Sequence, residues 1–190
     1  MNRYARWGFA LVLLPIAACA DKPAPAPIVP SGPPPLAAAD SAFIVTAAQG
    51  GMAEVQEGQL AQTNARNPRV KSFATKMVSD HTANNDQLKQ IAVAKGASVP
   101  TGPNDMQTQE LSTLQAEKGR KFDHDYIADQ IAGHTAMLQA FQTEAASGTD
   151  ADLKKFASDT IPVIQSHLDM ANGIASGHMH KGMHHHKAAS

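Results

Sequence analysis

The chain has 190 residues, with 16 Lys and Arg against 17 Asp and Glu and a formal net charge of −1 at pH 7. That length suffices for one domain of ordinary size plus tails, and the balanced charge excludes a basic face able to track nucleic acid. A single cysteine excludes an internal disulfide.

Residues 1–19 read as an export signal. Arg3 and Arg6 precede a short apolar run from Gly8 to Ile16. The run is too short to span a bilayer as a helix. It ends in Ile16-Ala17-Ala18-Cys19, which resembles the bacterial lipobox, in which the cysteine is lipidated and becomes the first mature residue. The other reading is an ordinary cleaved signal in which Cys19 falls by accident. Ala20 follows, and resemblance to lipoprotein sorting in Gram-negative bacteria then implies the outer membrane, with the domain in the periplasm. Residues 20–39 are rich in Pro and Ala and nearly uncharged. Proline fixes φ and supplies no amide donor, so this stretch is expected to be an extended tether. At ~3.1 Å per residue it reaches roughly 60 Å.

Residues 40–176 carry helical periodicity throughout, and no stretch shows the alternation of a strand. Asp40 with Ser41 is expected to cap a first helix, rich in small residues, that ends near Ala65. Asn67-Pro68 breaks the chain and opens a second helix. Along it Val70, Ala74, Met77, His81, Asn84, Leu88 and Ile91 form one seam. Gly96 closes that helix as a left-handed cap. Ala97 to Arg120 is a long connection containing a short polar helix, Met106 to Lys118. The next long helix runs from Arg120 to Gly148, and Thr149 with Asp152 is expected to form a capping box for the last. Pro162 lies within that last helix and is expected to kink it. A connection as long as Ala97–Arg120 crosses a whole bundle. The fold expected is therefore an all-α, ferritin-like four-helix bundle in which the second and third long helices run parallel.

Height along such a bundle can be counted. Glu54 lies 13 residues before the Asn67 turn and His81 lies 14 after it. His134 is as deep into its helix as His81 is into the second. His167 is offset from His134 by about five residues, roughly 7 Å at 1.5 Å per residue. All three histidines fall on apolar seams, and Gly50 leaves room on the stripe that carries Glu54. One residue from each long helix thus converges near mid-bundle. Imidazole and carboxylate suit Zn, Cu or Fe, with Glu57, Asp80 and Asp123 as candidates to hold a ring nitrogen from behind. A His–carboxylate polar layer that fixes helix register has the same pattern.

Several stretches carry a family resemblance: Asp40-Ser41-Ala42-Phe43; Ala47-Ala48-Gln49-Gly50-Gly51 with Glu54-Val55; Met77-Val78-Ser79-Asp80-His81-Thr82; Phe122-Asp123-His124-Asp125-Tyr126-Ile127 with His134; and His167-Leu168. Together they resemble the bacterial domain-of-unknown-function family 4142. The resemblance implies an exported, outer-membrane protein with a ferritin-like bundle, and implies almost no biochemistry. The chain departs from true ferritins. Their di-iron site needs Glu three residues before His on two helices, whereas Val78, Ile131 and Ile164 stand there. Too few carboxylates remain for a ferroxidase centre.

The tail carries five of the nine histidines, His178, His180, His184, His185 and His186, with Met179 and Met183. Imidazole with thioether favours copper, and an adventitious polar terminus would bind metals weakly in the same way. Catalysis finds little support: Cys19 is used as an anchor, no Ser–His–Asp spacing occurs, and no Gly-rich loop cradles phosphate. Three classes of function remain open: a metal-binding envelope protein, a non-metal structural or interaction module with unknown envelope partners, and, with least support, a redox enzyme.

Overall fold

The computed structural model describes residues 34–177. Cys19, the leader, most of the Pro/Ala tether and the tail residues His178, His180, Met183, His184, His185 and His186 lie outside that range. Five helices and no strand are present among the described residues: α1 (Ala38–Asn64), α2 (Pro68–Ala94), α3 (Asp105–Gln115), α4 (Gly119–Ser147) and α5 (Ala151–Ala175). None of them is long and apolar enough to cross a membrane.

The helix ends follow local chemistry, with two corrections to the expected caps. Asn67 caps α2 by accepting the Arg69 N–H at 2.9 Å, with Pro68 behind it. Gly96, at φ +68°, follows its end. Asn104 and Gln107 form a reciprocal capping box on α3. Asp40 is not a cap: α1 starts two residues earlier, and Asp40 is buried in its first turn. Its carboxylate accepts the Thr149 N–H (3.0 Å), the Thr149 hydroxyl (2.6 Å) and the Asp150 N–H (3.0 Å). With Thr149 thus engaged, the expected Thr149–Asp152 box does not form. Asp150 caps α5 instead, accepting from Asp152 and Leu153. Helix α5 continues through Pro162, which lacks the N–H that would bond the Ser158 carbonyl.

Helix α1 packs on α2 and α4, and α5 packs on the same two helices. Contacts at the two ends fix their directions. The Arg66 and Asn67 N–H groups donate to Asp123 near the start of α4, both at 2.9 Å. Lys95, just past α2, pairs with Asp150, just past α4, at 2.9 Å. Helices α2 and α4 therefore begin at one end and finish at the other. The segment 95–118, with α3 in it, returns along the molecule and lays Leu114 into the core. That core is two apolar clusters. Phe43, Ile44, Leu88, Phe141, Leu153, Phe156 and Ile164 fill the α4–α5 turn end. Val70, Phe73, Met77, Leu114, Phe122, Tyr126 and Ile127 fill the α1–α2 turn end. Buried polar side chains occupy the level between them.

Candidate metal centre

Four long helices each bring one residue to that level. Glu54 is 5% exposed, His81 2%, and His134 and His167 0%, so each has lost its water and depends on protein partners. The three imidazoles form a near-equilateral triangle, with ring centroids 5.6 Å (His81–His134), 5.3 Å (His81–His167) and 5.4 Å (His134–His167) apart. One nitrogen from each lies within 4.8 Å of the others.

The five-residue offset counted for His167 closes for a geometric reason. Side chains lean toward the N-terminus of their own helix. Helices α4 and α5 are antiparallel, so His134 and His167 lean toward each other. His134 Nε2 ends 3.3 Å from His167 Nδ1.

Outward bonds fix both tautomers. His134 Nδ1 lies 2.8 Å from the Gln130 carbonyl, which can only accept, so Nδ1 carries the proton. His167 Nε2 lies 2.8 Å from Asp80 Oδ2. Burial raises the Asp80 carboxyl, but hydrogen bonds from Lys76 and His167 outweigh it and hold it below its ordinary value. Asp80 is therefore an anion, and His167 Nε2 donates to it. The two inner nitrogens then both present lone pairs across 3.3 Å. Protonating either ring is opposed by burial, which lowers His134 and pushes His167 down to about 4.

His81 and Glu54 form the other half of the layer. His81 Nε2 stands 2.5 Å from Glu54 Oε2, an ion-pair distance. Glu54 Oε1 is 3.4 Å from His134 Nδ1. Burial raises the Glu54 carboxyl, and the charges of His81 and His134 outweigh it and lower it. Burial lowers His81, and Glu54 outweighs that and raises it. Glu54 and His81 thus hold each other toward their charged forms.

The remaining residues expected at the site divide. Asp80 reaches His167 on α5 and not its sequence neighbour His81, because successive residues point about 100° apart on a helix. Glu57 is one step removed, accepting from Gln130 Nε2 at 2.8 Å. Asp123 sits instead at the α1–α2 turn, holding the Arg66 and Asn67 amides. Spacing assigns no role to Gln130 or Tyr126. Gln130 is four residues before His134, which puts both on one face, and that was the available signal. Tyr126 is fully buried with an unpartnered hydroxyl, and burial raises it well above its ordinary value.

Glu57 gives the layer a pH signature. Burial, then the charges of Glu54, Asp129 and Glu110, push it up to about 8. The folded protein therefore holds this proton more tightly than the unfolded chain. Stability from this group is fully present below its ordinary value of 4.5 and is lost as pH rises through about 8. In metal-free protein, wild type is expected to lose about 3–4 kcal/mol relative to Glu57→Gln between about pH 5 and 8. Denaturant unfolding across that range measures it, and parallel profiles for the two proteins would contradict the assignment.

Solved structures share the helical architecture. The DUF305 fragment from Deinococcus radiodurans superposes with a TM-score of 0.67 at 10% identity, covering 76% of this chain and 99% of that one. CopM in its Cu(I)-bound form gives 0.62 at 14% identity, covering 73% and 96%. Its Cu(II)-bound form gives 0.62 at 16%, with the same coverage. At such identities the likeness is one of fold. No curated protein sequence matches the chain. The sequence profile described as Domain of unknown function (DUF4142) matches residues 26–174, and the chain belongs to that family.

Proposed function

We propose that this protein is a lipid-anchored, outer-membrane lipoprotein whose periplasmic domain is a ferritin-like bundle binding one transition-metal ion through His81, His134, His167 and Glu54. One observation carries the metal reading. His134 Nε2 and His167 Nδ1 turn lone pairs toward each other at 3.3 Å, with their outer nitrogens tied to a carbonyl and a carboxylate. Two neutral imidazoles so placed repel, and a cation between them removes the repulsion. Nitrogens each about 2.0–2.1 Å from a tetrahedral ion stand about 3.3–3.4 Å apart. The carboxylate behind His167 is the usual support of a metal-bound imidazole. Copper, zinc and iron all suit three imidazoles and a carboxylate. The copper bound by the structurally similar CopM makes copper the first ion to try. The tail residues His178, His180, Met183, His184, His185 and His186 would supply a second set of donors. Parallel α2 and α4, joined by a long connection, support the ferritin-like description.

The Glu54–His81 pair also supports the other reading, a polar layer that fixes helix register in a non-metal envelope module. Metal analysis separates the two. Protein lacking residues 178–190 is exposed to Cu, Zn and Fe in turn and then desalted. One ion per chain is expected, and no retained ion leaves the polar layer. The anchor is tested separately. Cys19→Ser is expected to move the protein from the membrane fraction to the soluble periplasm. A wild type already soluble without detergent would contradict the anchor.

A further inference from the structure

A cavity of about 330 Å³ opens between α1, α3 and α4, and Glu54 lines it. Glu57 and Gln130 also line it, and both are buried, at 5% and 1% exposure. Gln130 Oε1 has no partner. Toward solvent lie Glu110 and Asp129, with the thioethers of Met106 and Met137. We propose that this cavity is the route by which the cation reaches the buried histidines, with Glu54 handing it from cavity to imidazoles. The proposal rests on the metal reading above and names the side from which the site is loaded.

Three observations support it. First, the cavity gathers only carboxylates among charged side chains. Asp129 feels burial first and then the cavity's own Glu110, with Asp125 and Glu117 from outside the cavity, and is pushed up to about 6. A cavity of one sign focuses the field and concentrates the opposite ion. Second, Glu54 belongs to both places. It lines the cavity, and its two oxygens stand 2.5 Å from His81 Nε2 and 3.4 Å from His134 Nδ1. The unpartnered oxygen of Gln130, which lines the same cavity, is a further acceptor for a passing cation. Third, on the opposite side His167 meets Asp80, which Lys76 also holds at 2.8 Å, and a lysine there repels an arriving cation.

Gly133 provides the test. It is exposed on α4, and an added Cβ would meet only Glu54 Oε1, at 3.6 Å. A larger side chain there extends from that Cβ beside Glu54 on the cavity wall. Full-length protein is mixed with Cu²⁺ or Zn²⁺ in stopped flow. The relevant phase is the one missing from His134→Ala, since tail binding is common to every variant. Gly133→Leu is expected to slow that phase, and metal removal by a chelator, at least tenfold with unchanged final stoichiometry. Gly133→Ala is expected to load at close to the wild-type rate. Glu110→Gln with Asp129→Asn, which leaves the space open, is expected to slow loading severalfold and flatten its salt dependence. Unchanged rates in both Gly133→Leu and the charge variant would overturn the route alone. A wild type with no His134-dependent phase would overturn the site, and the route with it.

Discussion

His81→Leu is expected to destabilise the metal-free protein by about 3–5 kcal/mol, the loss typical when one member of a buried ion pair is removed. Leucine fills much of the imidazole's space, so little of this comes from a cavity. The loss falls on Glu54, 5% exposed, whose carboxylate would keep only His134 Nδ1 at 3.4 Å. Adding Glu54→Gln removes the stranded charge and is expected to recover most of the stability. The double-mutant cycle in chelator measures the coupling. Single-mutant losses that simply add, with no recovery, would mean that the two residues do not face each other as a charged pair.

The second large effect is stabilisation by metal. An ion at 100 to 1,000 times its Kd raises the unfolding free energy by about 2.7–4.1 kcal/mol. Wild type is expected to show that gain. His134→Ala and His167→Ala are each expected to lose nearly all of it, because each removes one of the two facing lone pairs. Asp80→Asn keeps every ligand and loses only the anion behind His167. About a 10- to 100-fold weaker affinity follows, with the gain restored at higher metal concentration. Melting curves with and without metal, compared within each variant, read all three. A full metal shift in His134→Ala would place the bound ion elsewhere.

Much of this arrangement is legible in the sequence. The seam from Val70 to Ile91 places His81 inward, and nearly equal counts from the Asn67 turn set Glu54 opposite it. The long 95–118 segment signals that α2 and α4 share a direction, which brings His134 to the same level. His167 is the instructive exception. Counting Cα positions leaves it about a turn away from His134, roughly 7 Å, because the count ignores the lean of side chains toward each helix's N-terminus. On antiparallel helices that lean closes the gap.

The supporting residues were less legible, because local spacing does not decide which way a short polar side chain turns. Asp80 and Asp123 both neighbour seam positions. Asp80 reaches across to α5, whereas Asp123 meets two backbone N–H groups at the α1–α2 turn that would otherwise lack acceptors. Asp40 makes the same point. Its place before an apolar run suggests a cap for its own helix, yet it satisfies the turn preceding α5. Each choice depends on which orphaned donors the folded chain brings within reach, and those come from distant segments.

The most direct test of the central claim is the position of the ion itself. Crystals of metal-loaded protein, measured at the absorption edge of the bound metal, give an anomalous difference map. One peak is expected inside the imidazole triangle, about 2.0–2.1 Å from both His134 Nε2 and His167 Nδ1. A map with no peak there, and metal only at surface or tail histidines, would contradict it.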